Sequence, residues 1–191
     1  MDKWGLRALV YRWFRRVYPI RWFFQSEQRH LENLVTLLDH QPERIADLGT
    51  GLGETLPLLP GGRIRILLDQ SQAMLKRAQT GPTDARVIGD ILSPPLKPGS
   101  FDLVTCIGTS EYIPAKALLL QEMYTLLKPG GYALITFSPR NLYSRLRNLL
   151  GKRIYPLSGS TAYDLLAAEG FYIVRAYRTK MQSQYLVQKI V

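Results

Sequence analysis

The residues with the most chemical character are three aspartates, Asp47, Asp69 and Asp90, each at or just past the end of a short apolar run. A glycine turn, Gly49-Thr-Gly-Leu-Gly53, follows the first of them. Glycines there let the backbone adopt conformations that a Cβ forbids and let a ligand approach the main chain. The N–H groups at the start of a helix over Glu54 to Leu59 would then face that ligand. Dinucleotide-binding turns read G-x-G-x-x-G and seat a pyrophosphate. Here the spacing is G-x-G-x-G, with Asp47 two residues ahead of the first glycine. A carboxylate at that point repels a pyrophosphate but suits a cationic amino-acid head group. Asp69 lies 22 residues past Asp47, near the distance at which nucleotide-binding folds set an acid on the ribose hydroxyls.

Such residues must be held at one edge of a sheet, and the chain alternates accordingly. Apolar runs predict strands at Ile45–Leu48, Ile64–Asp69, Ala85–Ile88, Phe101–Ile107, Tyr132–Phe137, Phe171–Tyr177 and Gln184–Val191. Between them lie helical stretches at Leu31–Leu38, Gln72–Ala78 with Ser71 as N-cap, Ala115–Leu127, and one ending at Ala168 with Ser160 or Thr161 as its cap. The last two strands are close enough in sequence to pair antiparallel. Open α/β sheets bind ligands at the carboxyl ends of their strands, where the three aspartates fall.

At 191 residues the chain suits one domain with a normal core. Hydrophobic residues make up 46% and charged residues 21%, a globular rather than disordered balance. The single Cys106 excludes an internal disulfide and a cysteine metal site, and only His30 and His40 could join a zinc site, so no metal is expected. A reducing, cytoplasmic setting is the expectation. The net charge of +10 is carried by the two ends. Residues 1–30 hold seven Lys/Arg against two acids and residues 138–191 nine against two, while the middle is slightly acidic. That distribution points to an anionic partner or surface near the termini.

Residues 3–17 read as an amphipathic helix, with Leu6, Leu9, Val10, Trp13, Phe14 and Val17 on one face and five basic residues around the rest. Pro19 should end it, and Trp22-Phe23-Phe24 follows. This pattern fits a lid or a helix lying on a membrane surface, and it is too charged to span one. The expected organisation is therefore a basic helical segment over residues 1–40 and a ligand-binding domain over residues 41–191.

Beyond the glycine turn, four further stretches carry a family resemblance: Asp69-Gln-Ser-Gln-Ala-Met-Leu75, Gly89-Asp-Ile91, Glu111-Tyr-Ile-Pro114 and Leu127-Lys-Pro-Gly-Gly131. Taken in this order they resemble the class I S-adenosylmethionine-dependent methyltransferases, in particular the small-molecule type found in quinone, lipid and tetrapyrrole biosynthesis. The resemblance covers residues 43–191. It implies a doubly wound, Rossmann-like seven-stranded sheet of order 3-2-1-4-5-7-6, with strand seven antiparallel. It also implies S-adenosylmethionine as cofactor. Asp47 would hold the ammonium, Asp69 the ribose, Asp90 the adenine amino group, and Ile91 would stack on the ring. Gly49, Thr50, Gly51, Gly53, Gln70, Ile107 and Gly108 would complete the cofactor site.

Sulfonium methyl transfer needs alignment and exclusion of water more than a catalytic triad. Glu111, just past strand four, is the one candidate general base, with a helix-start acid as the alternative reading. Tyr112, Arg140 and Asn141 are candidate substrate contacts, with packing and turn formation as theirs. Base-methylating enzymes of this fold place (N/D)-P-P-(Y/F/W) after strand four, where this chain has Gly-Thr-Ser-Glu-Tyr. A small apolar or amphiphilic acceptor, taken at a membrane surface through residues 1–24, is thus the first expectation. An RNA methyltransferase using the basic ends, and a silent cofactor-binding partner protein, are the alternatives.

Overall fold

The computed structural model describes residues 20–149 and 153–190, with side chains from residue 26 onward. The expected helix over residues 3–17 lies outside the described residues. Seven strands form one sheet in the order β3-β2-β1-β4-β5-β7-β6. They are β1 (Arg44–Leu48), β2 (Ile64–Asp69), β3 (Asp84–Ile88), β4 (Phe101–Cys106), β5 (Leu127–Phe137), β6 (Phe171–Arg178) and β7 (Ser183–Lys189). β1 to β5 run parallel, and β7 runs antiparallel to both neighbours. The class I methyltransferase sheet expected from the resemblance is the one observed.

β1 and β4 are buried along almost their whole length, as parallel strands covered on both faces must be. One face carries α1 (Ile20–Val35), a short 3-10 turn (Leu56–Leu58) and α2 (Gln72–Arg77). Leu31, Leu34, Ile45, Leu56, Leu67, Leu75, Leu103, Leu134 and Leu186 interlock there. The other face carries α3 (Lys116–Leu126) and α5 (Gly159–Ala168), packed through Leu119, Met123, Ala162 and Leu166 onto Val104, Ile135 and Val187. α4 (Leu142–Leu149) follows β5 directly. No described helix is long and apolar enough to cross a membrane.

Charged staples set the far, amino-terminal edge. Asp102 accepts the Glu43 and Arg44 amides at 3.1 and 2.8 Å and the Lys128 ammonium, tying the starts of β1, β4 and β5 together. Burial alone would raise its pKa, but Lys128 and the two amides outweigh that and hold it below the usual range. Arg65 grips Asp84 through two bonds of 2.7 and 2.8 Å across the β2–β3 register.

Three local expectations are corrected. The helix expected over Glu54 to Leu59 is only the 3-10 turn, because Pro57 and Pro60 lack amide donors and Gly61-Gly62 follow at once. The helix expected from Leu31 starts at Ile20 and ends at Val35. Ser158, rather than Ser160 or Thr161, caps α5 by accepting the Thr161 amide at 3.1 Å.

Candidate functional site

The carboxyl ends of β1, β2, β3 and β4 meet at one edge, and the glycine turn sits at its centre. Gly49, Gly51 and Gly53 all have positive φ, from 58° to 75°. Two of them have separate reasons to lack a side chain. A Cβ on Gly49 would lie 2.4 Å from the Thr109 methyl, because Thr109 Oγ1 donates to the Gly49 carbonyl at 2.8 Å and draws the loop after β4 against the turn. A Cβ on Gly51 would meet nothing within 4 Å, so this bend of main chain is open on its outer side. Open backbone at a strand-end turn is a surface a ligand can reach.

Asp69 closes the turn from β2. One of its carboxylate oxygens accepts the Gly51 amide at 2.8 Å and the other the Ser71 amide at 2.8 Å. Each oxygen keeps a lone pair for a further donor. Ser71 in turn caps α2 through the Met74 amide, as expected, and Gln70 between them is exposed. Asp90 is exposed beyond β3, with one oxygen accepting the Leu92 amide at 2.9 Å. Ile91 faces the core and is 6% exposed, so half-buried Leu92 offers more apolar surface beside Asp90.

Asp47 is buried rather than at the surface of the turn. Thr50 and Thr105 donate to its two oxygens at 2.7 and 2.6 Å, and burial pushes its pKa up against those bonds. Thr105 and Thr136 continue a buried polar row on the α1 face, where Thr136 pairs with Gln184 of β7. The Gly108 amide donates to Thr136 Oγ1 at 2.8 Å, and Ile107 and Gly108 are half-buried at the end of β4. At the far end of the row, Gln184 Nε2 donates to the Glu27 carboxylate of α1 at 2.8 Å, while Gln184 Oε1 has no partner although the residue is fully buried. Burial raises the Glu27 pKa, opposed by bonds from Thr179 and Gln184. Ser138 Oγ, past β5, is a second buried oxygen without a partner.

Glu111 and Tyr112 lie in a short 3-10 turn after β4. Glu111 is buried, and the Arg147 guanidinium of α4 grips both its oxygens, at 3.0 and 2.5 Å, and reaches the Tyr112 hydroxyl at 3.2 Å. The Lys116 ammonium donates to the Ser110 and Ile113 carbonyls, and its burial lowers its pKa to about 8. Arg140 is exposed, and Asn141 caps α4 by accepting the Ser144 amide at 3.0 Å. Among the described residues no cluster of His, Cys, Asp and Glu could hold a metal ion.

Sequence reasoning had no signal for Glu27, Gln184 or Arg147. Each matters through a partner distant in sequence: Thr179 and Gln184 for Glu27, and Glu111 for Arg147. For Thr105 and Thr136 the polar residue inside an apolar strand was a usable signal.

Residues 46–135 match the methyltransferase domain family. No curated protein matches the chain in sequence at a significant level. Several solved structures share its fold. The magnesium protoporphyrin IX methyltransferase of Synechocystis PCC 6803, solved with bound S-adenosylhomocysteine, is 18% identical with a TM-score of 0.73, over 95% of this chain and 94% of that one. A chain from the complex of the Haloferax volcanii Trm112 methyltransferase activator with a methyltransferase is 18% identical with a TM-score of 0.74, over 87% and 92%. An S-adenosylmethionine-dependent methyltransferase of Thermotoga maritima is 22% identical with a TM-score of 0.69, over 88% and 93%. The open glycine turn, the accepting carboxylates of Asp69 and Asp90, and the sheet order fit S-adenosylmethionine. With the family match over residues 46–135, they make this chain similar to the class I S-adenosylmethionine-dependent methyltransferases.

Proposed function

We propose that the chain methylates a small apolar or amphiphilic acceptor of the lipid, quinol or tetrapyrrole type. The observation that carries this reading is the fully buried Gln184 Oε1 without a donor, beside Glu27 at the end of the buried row on the α1 face. A buried acceptor atom calls for a partner. A buried polar row that leaves one acceptor atom open suits a compact acceptor with a single hydroxyl or amine better than a polynucleotide. The magnesium protoporphyrin IX methyltransferase, which shares the fold and is named for a tetrapyrrole, supports that end of the range.

S-adenosylmethionine, when bound, supplies an electrophilic methyl carbon for in-line displacement by the acceptor. Everything else falls to this chain's residues. Gly51 gives the cofactor an open main-chain approach, and Gly49, Thr50 and Gly53 shape the turn around it. Asp69 takes the ribose hydroxyls on its free lone pairs, with Gln70 beside it, and Asp90 takes the adenine amino group. Ile91 gives up most of the ring contact to Leu92. Asp47 acts on the ammonium from beneath the turn, through Thr50 or water. Ile107 and Gly108 border the methyl-transfer edge, with Tyr112, Arg140 and Asn141 around the acceptor. Glu111 is read as a positioning residue, since both its oxygens are held by Arg147.

The test is transfer of labelled methyl from S-adenosylmethionine to a panel of quinols, lipids, tetrapyrroles and total RNA. Turnover on an amphiphile with none on RNA supports the reading. RNA-dependent transfer, or cofactor binding without turnover on any acceptor, overturns it.

A further inference from the structure

The most exposed large apolar side chains of the described surface include three leucines on one short helix. Leu142 and Leu149 of α4 are 80% and 83% exposed and Leu146 51%. At 100° per residue these three fall within about 60° of one another, with Arg145 along the same side. Ser144, fully buried, and Arg147, held by Glu111, point the other way. The outer face of α4 is therefore an apolar stripe with nothing described packed on it, on a helix clamped from behind to the loop after β4.

Its electrostatic setting identifies the occupant. From Met123 to Tyr163 the sequence contains no acid. Arg140, Arg145, Arg153 and Lys180 are exposed around or near the stripe, and the Lys180 carbonyl accepts from Asn141 at the start of α4. Leucines ringed by cations complement the interface of an anionic bilayer, where acyl chains take the apolar face and head groups the arginines. A polynucleotide would match the cations but leave the leucines in water, and its usual stacking partners are aromatic.

We propose that the outer face of α4 docks this protein on anionic membrane surfaces, with Leu142, Leu146 and Leu149 entering the head-group region and Arg145 meeting lipid phosphates. The inference rests on the amphiphilic-acceptor reading and gives it a route. α4 follows β5 directly, and Arg147 ties it to Glu111 and Tyr112, so docking sets the proposed acceptor edge against the lipid from which an acceptor would be drawn. It differs from attachment through residues 1–24 in the segment that makes the contact.

Vesicle co-sedimentation of the full chain tests it, comparing phosphatidylcholine with phosphatidylcholine–phosphatidylglycerol vesicles. The wild type should partition onto the anionic vesicles and be released by salt. Leu146→Asp/Leu149→Asp should weaken that partition at least about tenfold, and Arg145→Glu about fivefold. All three side chains face solvent, so S-adenosylmethionine affinity and the thermal transition should stay at wild-type values and show that the variants fold. Failure of the wild type to bind, or retention of binding by the double leucine variant, overturns the inference. The second result would assign any binding to another part of the chain. Methyl transfer to a detergent-dispersed acceptor, run in parallel, separates this from the function itself. Transfer without vesicle binding sinks the docking face alone, and binding without transfer to any amphiphile sinks the acceptor reading.

Discussion

Replacing Glu111 by Gln keeps its shape and removes its charge, which separates a general base from a structural ion pair. In the structure the Arg147 fork holds both carboxylate oxygens, and the two side chains are 7% and 21% exposed. Breaking a buried pair by removing one partner costs roughly 3–5 kcal/mol. Arg147 can partly turn to water, so about 2–3 kcal/mol is the expected cost here. For a chain of this size that lowers the melting temperature by roughly 5–10 °C. Thermal unfolding of wild type, Glu111→Gln, Arg147→Met and the double variant should show strong coupling, the double variant losing less than the sum of the singles. Kinetically, Arg147→Met should reproduce the loss of activity seen in Glu111→Gln, since both free the same loop. Loss of a base would instead lower kcat by about a hundredfold or more in Glu111→Gln alone and remove a limb of the pH profile. That outcome, with stability unchanged, refutes the positioning account of Glu111.

Two further substitutions probe the frame of the site. Gly49→Ala sets a methyl 2.4 Å from Thr109 at a φ of +75°, and should cost roughly 2–4 kcal/mol and at least tenfold in cofactor affinity. Thr109→Gly in the same chain, which removes the Cβ as well as the methyl and hydroxyl that crowd the new group, should restore part of that affinity in a titration, whereas no rescue would mean that the clash is not the cause. Asp102 and Asp84 have folded pKa values below the ordinary carboxylate range, so their stabilisation is present above about pH 4 and is lost as pH falls through the folded values. Glu27 and Asp47 are raised and act with the opposite sign, their contributions being lost as pH rises through theirs. Asp102→Asn should therefore lower urea stability at neutral pH and converge on wild type in acid, and a pH-independent deficit would contradict it.

The order and direction of the strands were legible because the wording of several segments, each short and local, recurs in a known family. Asp69 and Ser71 were legible for the same reason, since both act on residues a few positions away or at a fixed loop spacing. The missing helix after the glycine turn was written in Pro57 and Pro60, which a glycine-turn reading overrode. The buried polar row was not legible. Thr105, Thr136, Gln184 and Glu27 come together only when β4, β5 and β7 pair and α1 closes over them. Arg147 likewise read as one cation of a basic segment, because its partner lies 36 residues upstream. Local chemistry survives in sequence, and contacts between distant elements do not.

The central claim is that Asp69 and the open glycine turn form an S-adenosylmethionine site. Calorimetric titration of wild type and Asp69→Ala with S-adenosylmethionine and S-adenosylhomocysteine tests it most directly. The variant loses the acceptor of the Gly51 amide together with the proposed ribose bonds. At about 1.5–3 kcal/mol per charge-assisted bond, affinity should fall at least about thirtyfold. One-to-one binding by the wild type with that loss in the variant is the predicted result. Equal affinity in both proteins, or no binding by folded wild type, would contradict it.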